Sequence, residues 1–149
     1  MNTIQKVGES ELSLKCLVVL LRANHAVMDF DRKDIKRYGL FPTEFGVLEL
    51  LFHKGEQPIQ QIGKRILLTS GSITYVIDKL EEKGLIERKR CLEDRRVVNA
   101  AITEKGKSLM REIFPKHQTA VKKIFSGLTS EEKQDFILLL KKLGLSLQQ

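Results

Sequence analysis

Leu80-Glu81-Glu82-Lys83-Gly84-Leu85-Ile86-Glu87-Arg88-Lys89-Arg90-Cys91-Leu92-Glu93-Asp94-Arg95-Arg96-Val97-Val98-Asn99-Ala100-Ala101-Ile102 is where the apolar period of the chain changes. Upstream of it, Ile73, Val76, Ile77 and Leu80 recur at the spacing of one helix face. Gly84, following Lys83, is the residue that commonly ends a helix in the left-handed conformation. Beyond it the helical period stops. Leu85 to Arg90 and Val97 to Ile102 read as two short strands joined by a charged hexapeptide.

Working outward, Ile59, Ile62, Gly63 and Ile66 give a preceding helix, opened by Pro58. The connection to the next helix is about three residues, which fits a helix-turn-helix corner. Thr69 or Ser70 can cap the second helix. A helix-turn-helix followed directly by a two-stranded hairpin is a winged helix. The polar face of its second helix carries Ser70, Ser72, Thr74, Tyr75, Asp78 and Lys79. Short hydroxyls near a helix start approach base edges and phosphates closely. Arg88, Lys89 and Arg90 lead into the hairpin as candidate phosphate contacts. Arg95 and Arg96, beside Asp94 at the tip, suit entry into a narrow minor groove. Each piece alone also reads as a solvated helix face, strand edge or turn. Their adjacency is what points to DNA.

The 149 residues carry 42% hydrophobic residues, enough for one domain with a core. The net charge of +7 and a pI near 9.5 favour a polyanionic partner. No apolar run reaches the roughly 18 residues of a membrane span, and no secretory signal opens the chain. Two cysteines make no disulfide framework, and no Cys/His cluster has zinc spacing. The expected compartment is the cytoplasm. No paired catalytic carboxylates, Ser/His/Asp set or phosphate-cradling glycine loop is apparent, so the chain does not read as an enzyme, and no cofactor is expected.

Residues 9–37 read as a long helix. Leu12, Leu14, Leu17, Val18, Leu20, Leu21, Ala23, Val27 and Met28 make it apolar over more than one face. Tyr38-Gly39-Leu40-Phe41-Pro42 breaks it, and Pro42-Thr43 opens a helix through His53 with Phe45, Leu48, Leu51 and Phe52 inward. Gly55 ends that helix. Thr103 or a neighbour caps the next one, which holds Leu109, Met110, Ile113, Phe114, Ala120, Val121, Ile124 and Phe125. Pro115 within it is expected to kink or split it. Thr129 and Glu132 form a capping box ahead of a last helix with Phe136, Ile137, Leu139, Leu140 and Leu143. The fold class is therefore mainly α with a small β-hairpin. It is a single domain over 1–149: a winged helix-turn-helix lobe at 40–103, and dimerisation helices at 9–37 and 104–147 whose wide apolar stripes call for a partner subunit.

Leu67-Leu68-Thr69-Ser70-Gly71-Ser72-Ile73-Thr74, Leu80 to Ile86, Asp94-Arg95-Arg96 and Ile102-Thr103-Glu104-Lys105-Gly106 together resemble the MarR family of transcription regulators, over nearly the whole chain. The resemblance implies that Asp94 braces the wing and Arg96 enters the minor groove. It also implies a homodimer built from the terminal helices, bound to a pseudo-palindromic operator in double-stranded DNA and acting as a repressor. The recognition stretch and Ile113-Phe114-Pro115-Lys116-His117 resemble the branch that responds to quinones and hydroquinones.

Two routes for a signal follow. A small aromatic effector could lodge near the joints at 37–43 and 103–106, among His25, Met28, Phe30, Tyr38, Phe41, Phe45 and Phe52, although each of these singly reads as core. The alternative is oxidation of Cys16 or Cys91. In the hydroperoxide-sensing branch of the family a reactive cysteine near the start of the first helix is supported by tyrosines. Leu20, Phe30 and Phe41 stand there in this chain, and none can hydrogen-bond a thiolate. Cys16, beside Leu14, Leu17 and Val18, reads as a small core hydrophobe. Cys91 has basic neighbours that favour thiolate. The isolated histidines show no metal-ligand spacing. The expected function is a sequence-specific DNA-binding regulator, a repressor released by a small aromatic ligand or by oxidation. The competing reading is a winged-helix protein-interaction module that does not bind DNA.

Overall fold

In the computed structural model, residues 8–66 and 70–148 are described. Helix α1 (Glu9–Lys36) leads into α2 (Pro42–Lys54), the short strand β1 (Gln57–Pro58) and α3 (Ile59–Arg65). Helix α4 (Ser70–Glu82) is followed by the hairpin of β2 (Ile86–Arg90) and β3 (Val98–Ile102), then by α5 (Glu104–Ile124) and α6 (Ser130–Ser146). The winged helix-turn-helix expected from the apolar period is present. The proposed cap at Thr69 or Ser70 lies outside the described residues and side chains.

The sheet has three strands, in the order β1-β3-β2, all antiparallel. The hairpin pairs Ile86 with Ile102 through Arg90 with Val98. β1, two residues long, escaped the sequence reading. It pairs Gln57 with Ala100 and Pro58 with Asn99, so the residue that opens α3 also closes the sheet edge. A proline fits there because an edge position asks for no further donor.

Local chemistry explains the boundaries. Gly39, Gly55 and Gly84 all have positive φ at the ends of α1, α2 and α4. The Thr103 hydroxyl accepts the Gly106 N–H at 3.1 Å and caps α5. Thr129 and Glu132 close the capping box reciprocally, at 2.9 and 3.1 Å. Pro115 does not split α5, which runs unbroken through it. A proline removes one backbone donor and leaves the remaining i to i−4 bonds to carry the helix, and burial of Met110, Ile113 and Ala120 anchors it on both sides of Pro115.

One apolar core unites the lobe with the adjoining ends of α1 and α5. Ile35, Phe45, Val47, Leu48, Leu51, Ile62, Ile73, Ile77, Leu80, Ile86, Met110 and Ile113 are all buried within it. Phe52, expected inward, is only half-buried. Packing is close at Gly106: a Cβ there would stand 2.2 Å from the Leu85 carbonyl oxygen, so the first turn of α5 lies directly on the turn after α4. The terminal helices differ. From Glu9 to Ala26 every residue of α1 is exposed on the single chain, and α6 buries none.

Candidate nucleic-acid interface

Helix α4 divides into two faces. Ile73, Val76, Ile77 and Leu80 anchor it in the core. Ser72, Thr74, Tyr75 and Asp78 are exposed, with Tyr75 at 64%. The backbone places Ser70 at the first helical residue, and its side chain lies outside the described ones. Lys79 stands with its ammonium 5.6 Å from the centre of the Tyr75 ring and 3.3 Å from Glu82. The result is a polar, mostly small-residue surface on a helix that is held rigidly from behind.

The wing is built by Asp94. Its Oδ1 accepts the backbone N–H of Arg96 at 3.0 Å, an Asx turn, and also the Arg96 Nε–H at 3.3 Å. Val97 donates to the Asp94 carbonyl and Cys91 to the Val97 carbonyl, each at 3.0 Å, which closes the loop. Arg96 is thereby tethered near its base while its side chain stays 93% exposed. Among the described residues Arg90 and Arg95 meet no carboxylate within ion-pair distance, and Lys89 pairs with Glu87 at 3.3 Å. Leu92 is 100% exposed at the tip, an apolar side chain that the sequence reading passed over.

Arg88 is placed differently from its expectation as a phosphate contact. Its guanidinium bonds Asp78 at 2.5 Å and Glu81 at 2.8 Å, and its backbone N–H donates to the other Glu81 oxygen at 3.1 Å. The Asp78 hydrogen bond holds the guanidinium even more firmly protonated than usual. Arg88 therefore ties β2 to the recognition helix, and Asp78 is engaged in that tie. In the sequence Asp78 falls on the polar face of α4 and Arg88 in a basic run leading into the hairpin. The signal that could have found the tie is the pairing of two acids on the turn of α4 next to Gly84 with an arginine on the returning strand.

The seven residues expected around the joint do not line one pocket, although Tyr38 and Phe52 pack against the core that holds Phe45. Phe45 is core, its ring 4.4 Å from that of His117 and tilted 48° to it. Phe41 is 68% exposed, His25 and Met28 lie on the open face of α1, and Phe52 sits beside His53. Phe30 and Tyr38 share a cavity of about 400 Å³ between α1 and α5, with Asp34, Arg37, Lys116, Thr119, Ala120 and Lys123. Behind it lies a polar cluster that the sequence did not suggest. Asp34 is buried and bonded through Oδ1 to Arg37, and its Oδ2 has no hydrogen-bond partner. His117 Nδ1 is likewise unpartnered, 4.0 Å from Asp34 and 3.9 Å from Asp31. Burial raises the Asp31 carboxyl above its ordinary range, against the pull of His117. Cys16 is exposed on the single chain, not buried as a core residue, because that part of α1 has no intrachain neighbour. Cys91 is half-buried in the wing. Among the described residues no three His, Cys, Asp or Glu side chains sit at metal-holding spacing, and no helix is long and apolar enough to cross a membrane.

This geometry meets its counterpart in known proteins. The MarR family profile matches residues 40–98, the winged lobe itself. The HTH-type transcriptional regulator MhqR of Bacillus subtilis (strain 168) is 52% identical over 140 residues, covering 94% of this chain and 97% of its own. The chain belongs to the MarR family. Another relative from the same organism, the HTH-type transcriptional regulator YkoM, is 44% identical, over 94% of this chain and 91% of its own. A MarR family regulator of Streptomyces coelicolor, solved in complex with DNA, superposes with a TM-score of 0.86 over 99% of this chain and 94% of that one, at 22% identity. The protein is a winged-helix, DNA-binding transcription regulator.

Proposed function

We propose that this MarR-family regulator is a homodimeric repressor that binds a pseudo-palindromic operator and lets go when a small aromatic molecule, a quinone or hydroquinone by resemblance, or an oxidant reaches it. The observation that carries the DNA half is the wing: Asp94 holds the base of Arg96 while the rest of that arginine projects into solvent. Ser70, Ser72, Thr74 and Tyr75 read bases, Lys79, Lys89, Arg90 and Arg95 contact phosphate, and Arg96 enters the minor groove. The compartment is the cytoplasm, where the DNA is, and the protein carries out no chemistry of its own.

The uncovered apolar faces of α1 and α6 support the dimer; an isologous interface there would be large and hydrophobic. For the effector half, the cavity lined by Phe30 and Tyr38 offers aromatic walls and the cations Arg37, Lys116 and Lys123. The set His25, Met28, Phe41, Phe45 and Phe52 drops out of the proposed pocket.

One experiment separates ligand from thiol. Cys16 and Cys91 are both replaced by serine, and phenols, quinones and peroxides are added to the protein–DNA complex. Release that persists without cysteines supports the pocket. A cysteine-free protein that no longer answers anything that released the parent assigns the response to thiol chemistry. Absence of DNA binding even at low salt would return the protein-interaction reading.

A further inference from the structure

Glu44 is a carboxylate buried to 3% exposure in the first turn of α2. A buried charge persists only when it is paired and its oxygens are satisfied. Its Oε1 accepts the Phe41 N–H at 2.9 Å, which caps α2. Its Oε2 accepts the ammonium of Lys83 at 2.7 Å. Lys83 is the first residue past α4, and the same ammonium donates to the Gly39 carbonyl at 3.1 Å, in the turn that follows α1. The main chain of this corner is held from the other side. The Lys83 carbonyl accepts Lys105 Nζ at 2.9 Å, and the Gly84 carbonyl accepts the Thr103 hydroxyl at 2.7 Å, both from the start of α5. The C-terminal end of the recognition helix is thus clamped between the end of α1 and the beginning of α5.

We infer that Lys83, through Glu44 and Gly39, is the positioning residue that sets the angle of the recognition helix relative to the α1–α5 stalk, and so sets which half-site spacing the dimer accepts. The reason is geometric. Two recognition helices fit DNA only when they lie about one helical turn apart, roughly 34–36 Å. Each is a rigid rod seated on the core by one face, so a small rotation about its C-terminal end displaces its N-terminal residues most. Lys83 is where that end meets the stalk. Arg37 and Tyr38, in the wall of the effector cavity, lie immediately before Gly39, so a movement of α1 there has a direct path to the clamp. Lys83 needs no contact with DNA for this role, which sets it apart from Lys79.

The inference rests on the DNA-binding reading. The test begins with a duplex that the unmodified protein selects from a random pool. Affinity is then measured on that duplex, on versions with one base pair added or removed between half-sites, and across a salt series. Lys83→Met keeps the aliphatic stem and removes the charge. Its expected affinity for the selected duplex is roughly 2- to 30-fold lower, the range of mutations that act through coupling. Its penalty for altered spacing shrinks, its salt slope is unchanged, and Lys83→Arg restores all three towards the parent. Glu44→Gln, which keeps an acceptor for the Phe41 N–H, moves the same way and decides the question if Lys83→Met does not fold. Unchanged affinity and spacing preference in both variants overturns the inference. So does a loss accompanied by a salt slope lower by about one, which marks a phosphate contact. If the unmodified protein selects no duplex, the DNA-binding reading itself fails and takes the clamp with it.

Discussion

Helices α4 and α6 make an instructive pair. Each carries an apolar stripe, over 13 and 17 residues respectively. In α4 the stripe disappears into the core: Ile73, Ile77 and Leu80 are wholly buried and Val76 nearly so. In α6 nothing is buried, and Phe136 to Leu140 stand open on the chain, as do Leu12, Leu14 and Leu17 to Leu21 of α1. Exposed apolar area on this scale marks an interaction surface. The lobe is complete within one chain; the stalk is half of something. A sequence stripe says that a face will be covered and is silent on whether the cover comes from the same chain.

The comparison can be broken at its two ends. Ile77→Ala in the lobe is expected to cost about 2–5 kcal/mol in urea unfolding, through lost burial and the cavity left behind. A cost below about 1 kcal/mol would mean that the lobe is less tightly packed than Gly106 and Ile77 imply. Leu139→Glu in the stalk should leave the lobe folded but place a charge in the proposed interface. Light scattering at micromolar concentration should then return the 17.1 kDa single chain, where the parent gives twice that mass. Equal masses for parent and variant would place the cover of α6 elsewhere.

Next in size is the wing. Arg96→Ala is expected to weaken DNA binding by about 1–3 kcal/mol. Asp94→Ala should weaken it too, although it removes a negative charge from a DNA-facing loop, because the Asx turn that aims Arg96 goes with it. Tighter binding by Asp94→Ala would assign Asp94 no bracing role. Lys79→Ala sharpens the division within α4: it should weaken all sequences alike and lower the salt slope by about one. Replacing Ser72 or Thr74 should instead change the ratio of specific to random binding. A ratio unmoved by either would put base reading outside α4.

The smallest expected effect sits where lobe and stalk meet. The Asp31 carboxyl is raised by burial, so the folded state holds its proton more tightly than the unfolded chain does. Folding stability from this group is therefore greatest at low pH and falls as pH rises through the interval above the ordinary carboxylate value. Asp31→Asn should raise stability at pH 7, by no more than about 0.5 kcal/mol, and the gain should vanish at about pH 3, where both states are protonated. A gain that grows on acidification would reverse the assignment.

Much of this molecule was legible before its structure. The helix-turn-helix and hairpin followed from the change of apolar period at Gly84, because side-chain periodicity is a local consequence of backbone geometry. The caps at Thr103 and Thr129 were legible for the same reason: a hydroxyl and the amide it satisfies lie three residues apart. The bracing of the wing by Asp94 came from the family resemblance instead, and the Asx turn to Arg96, two residues on, gives it a local form. What the tertiary structure alone decided involves partners distant in the chain. β1 exists only because β3 returns beside it, and α5 passes Pro115 unbroken only because its two halves pack on one body. Arg88 is a tie and not a free cation because Asp78 and Glu81 meet it across a turn. Asp34 and His117 face each other from helices more than eighty positions apart, and Lys83 reaches Glu44 and Gly39 from another element altogether. Polar contacts of this kind leave no period in the sequence, since a single lysine or aspartate reads alike whether it faces water or another helix.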